Sequence, residues 1–262
     1  MRVVRLILLG ILAFVASVVF LFPAAPLLNK IKPDIKPVEL AGVSGKLFNG
    51  QVANVNYADD LLPIEFRDVT WKFSPMALLK GGAGANVTFK GYGGGGDGQV
   101  RRQWNGDIKV SDMVFNVESK ELEVLLPGPV AEFTGAITGQ FDQVHLVDQL
   151  LQSISGQLSW NNAIIVTRLY GPEITANLGE LDIDIVPEDN AVHAVTISSV
   201  GGDLAVDGKV VVDSNGDYQT KMLFTPSATA PQALVQALQQ LTQPAGGGLF
   251  KIEHNGNMNQ GT

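Results

Sequence analysis

Beyond about residue 40, apolar and polar side chains alternate in short runs, the period of two expected of strands with one buried face. The clearest runs are 51–57, 64–73, 85–90, 104–110, 132–146, 156–167, 180–186, 193–199, 204–212 and 218–224. They are rich in Val, Ile, Thr and aromatics and are separated by Gly, Asn and Asp. Within 213–217, Asn215-Gly216 is a pair that favours positive φ in a tight hairpin. Helical spacing is rarer. Residues 74–81 combine a capping Ser74, Pro75 in the first turn and a terminal Gly81, which predicts about two turns. Residues 119–126, stopped by Pro127, form a second candidate, and 144–153 could be helix or strand. Residues 230–241 place Leu234, Leu238 and Leu241 on one face behind Pro231, a helix suited to packing on a sheet. Glycine-led strands recur around Gly42, Gly135, Gly156 and Gly202 without a regular period, which argues against a solenoid or propeller. Glycines inside strands instead predict bulges and bends. The fold class expected is mainly β: an N-terminal transmembrane helix, then a curved, largely antiparallel sheet with a few short helices.

The N-terminus breaks this pattern. Residues 6–22 form an uncharged apolar run of roughly 17 residues after Arg2 and Arg5, enough with residues 23–28 to cross a hydrocarbon core. The arginine pair predicts a cytoplasmic tip over 1–5, a signal-anchor over 6–28 and an exported remainder. A cleaved signal peptide is the rival reading, but prolines flank the small residues of the only candidate cleavage stretch, 23–26. Residues 29–40, with Pro33 and Pro37 among alternating charges, read as an extended periplasmic stalk, leaving 41–262 as a β-rich domain.

Composition narrows the function. The chain has 262 residues and a net charge of −8, with no long basic run, so phosphate neutralisation and nucleic-acid binding are set aside. With no cysteine there is no disulfide framework, thiol nucleophile, zinc ribbon or iron–sulfur site.

Candidate chemistry is sparse. His145, His193 and His254 lie in separate segments with no metal-binding spacing, and no Gly-x-Ser-x-Gly elbow occurs. The run 91–98 is rich in glycine but lacks the Lys-Ser/Thr and the helix of a phosphate loop, so it reads as a flexible hairpin loop. Residues 213–217 resemble part of a calcium loop but lack its terminal Glu, and a turn accounts for them better. Asp182 and Asp184 share one strand face, where a solvated surface explains them as well as paired carboxylates would. Neither a catalytic residue nor a cofactor or metal ligand is expected. Trp71, Phe73, Trp160 and Phe224 read as core, or alternatively as the lining of a groove for a lipid or a partner strand.

Several motifs in order along this anchored chain resemble protein N of the bacterial type II secretion system, the general secretion pathway N family. The likeness runs through Gly45 and Gly50, then Trp71, Pro75 and Gly81, then Gly156 and Trp160. It ends with Gly202, Gly208, Gly216, Tyr218 and Pro226. Phe48 departs from it, standing where a Trp is expected, and so does the 91–98 run. The resemblance implies a single-pass inner-membrane protein with a periplasmic β domain, partnered by other secretion subunits in exporting folded proteins across the outer membrane. It implies no enzymatic residues.

The alternative is a lipid-binding or lipid-transfer protein, because anchored periplasmic β domains with glycine-led strands are also similar to AsmA-like proteins, which offer lipid an apolar groove. An apolar face continuous with the anchor would favour that reading, and a polar, filled interior would disfavour it. A periplasmic hydrolase would need an Asp, His and Ser cluster that the sequence does not contain in recognisable form.

Overall fold

Consecutive strands in this protein pair edge to edge in a single antiparallel meander. The structure, a computed structural model, describes residues 22–31, 38–57, 64–125, 131–147, 150–168, 173–188, 193–213 and 215–257. After helix α1 (Ala24–Ile31) come β1 (Val38–Lys46), β2 (Asn49–Tyr57) and β3 (Ile64–Phe73). The short helix α2 (Pro75–Leu79) leads into β4 (Gly82–Gly91), β5 (Gly94–Gln103) and β6 (Ile108–Glu118). A 3₁₀ segment (Ser119–Leu125) precedes β7 (Glu132–Val147), β8 (Leu150–Thr167), β9 (Ile174–Pro187), β10 (His193–Val200), β11 (Leu204–Val212) and β12 (Asp217–Pro226). Helix α3 (Gln232–Leu241) is followed by β13 (Gln243–Gly246) and β14 (Leu249–Asn257). All 14 strands among the described residues join one sheet in chain order, except that β14 lies between β12 and β13.

Directly opposed residues in an antiparallel pair point to the same face, so the register separates the two faces. One transverse row runs Phe89, Gly96, Phe115, Gly139, Leu158, Ile183, Ile197, Gly208, Met222 and Ile252, apolar throughout. The neighbouring row on the other face runs Thr88, Asp97, Val114, Gln140, Gln157, Asp184, Thr196, Lys209, Lys221 and Glu253, polar apart from Val114. Hydrophobic burial therefore acts on one face only, as in half-solvated antiparallel sheets. Register shifts in the β3–β4, β5–β6, β7–β8 and β8–β9 pairs bend the strands locally.

Helix α3 closes part of the apolar face. Its Leu234 and Leu238 are buried against Leu178 and Leu181 of β9, Leu204 and Val206 of β11, and Phe250 of β14. At the other end of the sheet, α1 runs beside the β1 edge. Pro23 bridges to Lys46, the Leu47 amide donates to the Phe22 carbonyl at 2.9 Å, and Ala24 is fully buried. Covering one edge with a helix and ending the other in a four-residue strand containing Pro244 blunts both for strand addition.

Several expectations are corrected here. Trp104 and residues 105–107 form the β5–β6 turn, and the strand expected from 104 starts at Ile108. Residues 144–147 end β7 and 150–153 open β8, so the described residues of this segment are strand rather than helix. Residues 29–31 of the expected stalk close α1 and 38–40 open β1, while 32–37 lie outside the described residues. The 91–98 run is not a flexible loop. Gly91 pairs with Gly94 around a Tyr92-Gly93 turn, and Gly94 to Gly98 belong to β5. Of the expected membrane span, residues 6–21 lie outside the described residues, and no described helix is long and apolar enough to cross a membrane.

Candidate functional site

Several glycines inside strands share one use: they leave room for a large side chain on the adjacent strand. Gly50 pairs with Trp71, and a Cβ on residue 50 would overlap the indole. Gly139 pairs with Phe115 and Gly156 with Phe141, again with the ring where a Cβ would stand. Gly208 pairs with Met222 and Gly256 with Tyr218 in the same way. A ring lying over a neighbouring glycine covers backbone that would otherwise be bare and keeps the apolar face continuous. Along that face Phe66 meets Phe89 edge-on at 4.8 Å, Phe115 lies 5.7 Å from Phe141, and Phe133 is 5.8 Å from Trp160.

The motif residues fall into three places and do not converge on one pocket. Gly45, Gly50, Trp71, Pro75 and Gly81 gather at the end of the sheet that carries the β1–β2 turn and α2. There Trp71 Nε1 donates to the Leu47 carbonyl at 2.8 Å, and Phe48 packs edge-on to Phe73 at 4.7 Å. Phe48 thus supplies an aromatic contact at the position where a Trp was expected. Pro75 opens α2, and Gly81 ends it with φ of +79°. In the middle of the sheet, Trp160 Nε1 donates to the Thr134 carbonyl at 3.0 Å, beside Gly135. In the C-terminal part, Gly202 (φ +74°) turns β10 into β11, and Pro226 pairs with Leu204. Gly216 (φ +82°) lies in the β11–β12 hairpin, where the Asp213 carboxylate accepts from the Asn215 and Asp217 amides. That carboxylate is therefore used inside the turn.

The titratable groups serve the fold in the same manner. Asp107, in the β5–β6 turn, accepts from Asn105 Nδ2 at 2.9 Å and lies 3.1 Å from His145 Nε2 on β7. The hydrogen bond from His145 and then that from Asn105 hold its carboxyl below the usual range. His193 accepts the Ile154 amide on Nε2 at 3.2 Å, which requires neutral imidazole, and burial lowers its pKa from the ordinary 6.5. His254 lies against Tyr218, with ring centres 5.8 Å apart. Asp182 and Asp184 do share the polar face, and Asp182 accepts from the Ser159 hydroxyl. Among the described residues, no three His, Asp or Glu are grouped to hold a metal. Sequence reasoning missed the Asp107–His145 pair because its members are 38 residues apart and meet only through the β6–β7 register.

With no reactive cluster among these groups, the two unlike faces are what the fold offers to other molecules. The type II secretion system (T2SS), protein N family matches residues 36–253. The chain is 25% identical over 252 residues to "Type II secretion system protein N" of Aeromonas hydrophila, covering 95% of this chain and 96% of that one. It is 24% identical over 252 residues to the protein of the same name from Vibrio cholerae, covering 92% and 93%. No solved structure matches significantly. Matched along most of its length, the chain belongs to the type II secretion system protein N family.

Proposed function

We propose that this protein is a single-pass inner-membrane subunit of the type II secretion machinery. In this reading residues 6–28 anchor it, and a β domain curved around its apolar face works in the periplasm. It contributes to the export of folded proteins across the outer membrane by binding other secretion subunits, without catalysing a reaction. The observation that carries the reading is the family match over residues 36–253. The polar sheet face suits such contacts, since hydrogen-bonding and charged side chains set partner choice and orientation. Deletion of the gene tests it. Exoprotein should accumulate in the periplasm and be secreted again when the gene is restored, and secretion subunits should co-purify from membranes. Unchanged secretion together with no co-purifying subunit would end the proposal.

One observation favours a second reading, lipid handling: the apolar face extends across the strands from β1, beside α1, to β14. Helix α3 fills this face over β9 to β14, so the room for an acyl chain would lie over β1 to β7, where Phe66, Phe89 and Phe115 are only half-buried. Native mass spectrometry of the protein taken from membranes should then show a bound phospholipid. Its absence under conditions that preserve other lipid complexes would exclude this reading.

A further inference from the structure

The end of the sheet that carries the β1–β2, β3–β4 and β5–β6 connections forms a continuous rim. Backbone bonds lace these turns together: the Leu47 amide to the Phe22 carbonyl at 2.9 Å, Phe73 to Phe48 at 2.8 Å, and Trp104 to Gly81 at 3.1 Å. On this scaffold Leu79 is 83% exposed, Trp104 69% and Met76 64%, with Leu78 beside them. Burial does not account for such large apolar side chains standing in water, and the laced backbone holds them in place.

Charge is polarised along the same axis. Lys46, Lys72, Lys80, Arg101, Arg102 and Lys109 all lie at or next to this rim, and none is in an ion pair among the described residues. Arg101 keeps a buried Nε–H without a hydrogen-bond partner. Asp107 is the acidic residue among the turns here, and His145 and Asn105 already occupy its carboxylate. At the opposite end of the same strands Glu39, Glu65, Glu118, Glu121 and Glu132 outnumber the cations Arg67, Lys90 and Lys120, of which Arg67 is paired with Glu65 and Lys90 with Asp68. A chain of net charge −8 thus concentrates unpaired cations around its exposed Trp and Leu. Phe22, the last residue of the apolar run in the sequence, is bonded at this rim.

We propose that this rim seats on the surface of an anionic phospholipid bilayer, with Trp104, Leu79 and Met76 entering the headgroup region and the surrounding cations meeting lipid phosphates. Tryptophan and leucine beside Lys and Arg is the chemistry of interfacial attachment, and juxtamembrane cations strengthen it in proportion to anionic lipid. The partner is a bilayer because the apolar groups and cations sit where an apolar anchor enters. The inference rests on the anchored reading for the choice of a bilayer as partner and for which membrane is met.

The chain lacks cysteine, so single probes can be placed on the full-length protein. Leu79→Cys and Trp104→Cys carry an environment-sensitive fluorophore at the rim, Val124→Cys and Val200→Cys at the opposite end, and Val15→Cys in the apolar run. Each variant is reconstituted into phosphatidylcholine vesicles with or without phosphatidylglycerol, containing doxyl-labelled lipid as quencher. Residues 79 and 104 should be quenched by about half when phosphatidylglycerol is present, and 124 and 200 should not. Lys80→Glu with Arg102→Glu should weaken the lipid-dependent signal about fivefold or more. Quenching at 15 without quenching at 79 and 104 overturns the seated rim and leaves the anchor standing. Quenching at 79 and 104 without quenching at 15 upholds the rim and overturns the anchor. Equal quenching at 124 and 200, or no response to phosphatidylglycerol, overturns the proposal, as would crosslinking of an unquenched rim to a protein partner.

Discussion

Trp71 lies across Gly50 on the adjacent strand, its indole occupying the space of the missing side chain while Nε1 reaches the Leu47 carbonyl at 2.8 Å. Two motif residues 21 positions apart therefore act as one unit. Gly50→Val should lower unfolding free energy by about 1–3 kcal/mol, as overpacking does in a well-filled core. In a Trp71→Ala background the same substitution should cost less, because the clash with the ring is gone and only the approach to the Ser44 carbonyl remains. Urea unfolding of the four variants measures the coupling, and strict additivity would show that the ring and the glycine do not compete for space.

Helix α3 fastens the C-terminal part of the apolar face through Leu234, 4% exposed, and Leu238, 8% exposed. Leu234→Ala and Leu238→Ala should each destabilise by about 2–5 kcal/mol, the range for emptied leucine sites. Leu241→Ala, on the same helix but exposed, should change stability by less than about 0.5 kcal/mol. Thermal unfolding followed by circular dichroism distinguishes the three.

Ser119 is buried at 2% exposure and donates its hydroxyl to the Gly135 carbonyl at 2.8 Å, tying the 3₁₀ segment to β7. Ser119→Ala leaves that acceptor without its partner and should cost about 1–2 kcal/mol. Hydrogen exchange over 119–125 should speed up with it. Unchanged exchange there would show that the bond does not hold the segment.

Two titrations act in separate pH windows. His193 is held neutral, with its folded pKa below 6.5, so the unfolded chain binds the extra proton first as pH falls. Its stability contribution is whole above 6.5 and declines as pH drops from there to the lowered value. Asp107 has its folded pKa below 3.8, so its contribution is present above 3.8 and is lost as pH falls through the lower folded value. In urea titrations, His193→Gln should flatten the pH dependence below about 6.5, and Asp107→Asn should flatten only the part below about 4. If His193→Gln left the slope between pH 5 and 6.5 untouched, the Ile154–His193 bond would not be coupled to folding.

Much of the strand pattern was legible in the sequence. The runs 64–73 and 204–212 coincide with β3 and β11, because β-branched and aromatic residues alternate cleanly there. Helix α3 was also legible, because Leu234 and Leu238 repeat at helical spacing. Where glycine replaces the apolar residue, the pattern fails. Gly94, Gly96 and Gly98 hide β5, since what fills their side comes from neighbouring strands: Asn116 beside Gly94, Phe89 and Phe115 beside Gly96, and Met113 beside Gly98. β1 was hidden by Gly42 and Gly45, and by the prolines before it, which suggested a stalk. β14 ends in polar residues whose alternation is too weak to read. The motif residues lie beside turns and rings, which the sequence does not display, and the exposed rim of Trp104 and Leu79 is likewise not legible in it. The alternation of residues 104–110 places Trp104 in a strand, and its exposure follows only from the β5–β6 turn.

The central claim, that this chain serves protein export as a secretion subunit, is tested most directly by in vivo crosslinking. A photoreactive residue at Gln140 or Gln157, on the polar face, is introduced into cells that are actively secreting. Crosslinks to other type II secretion subunits, lost together with exoprotein release when the polar face is substituted, are the predicted result. Normal release from cells lacking the gene, with no crosslink to any secretion subunit, would contradict the account.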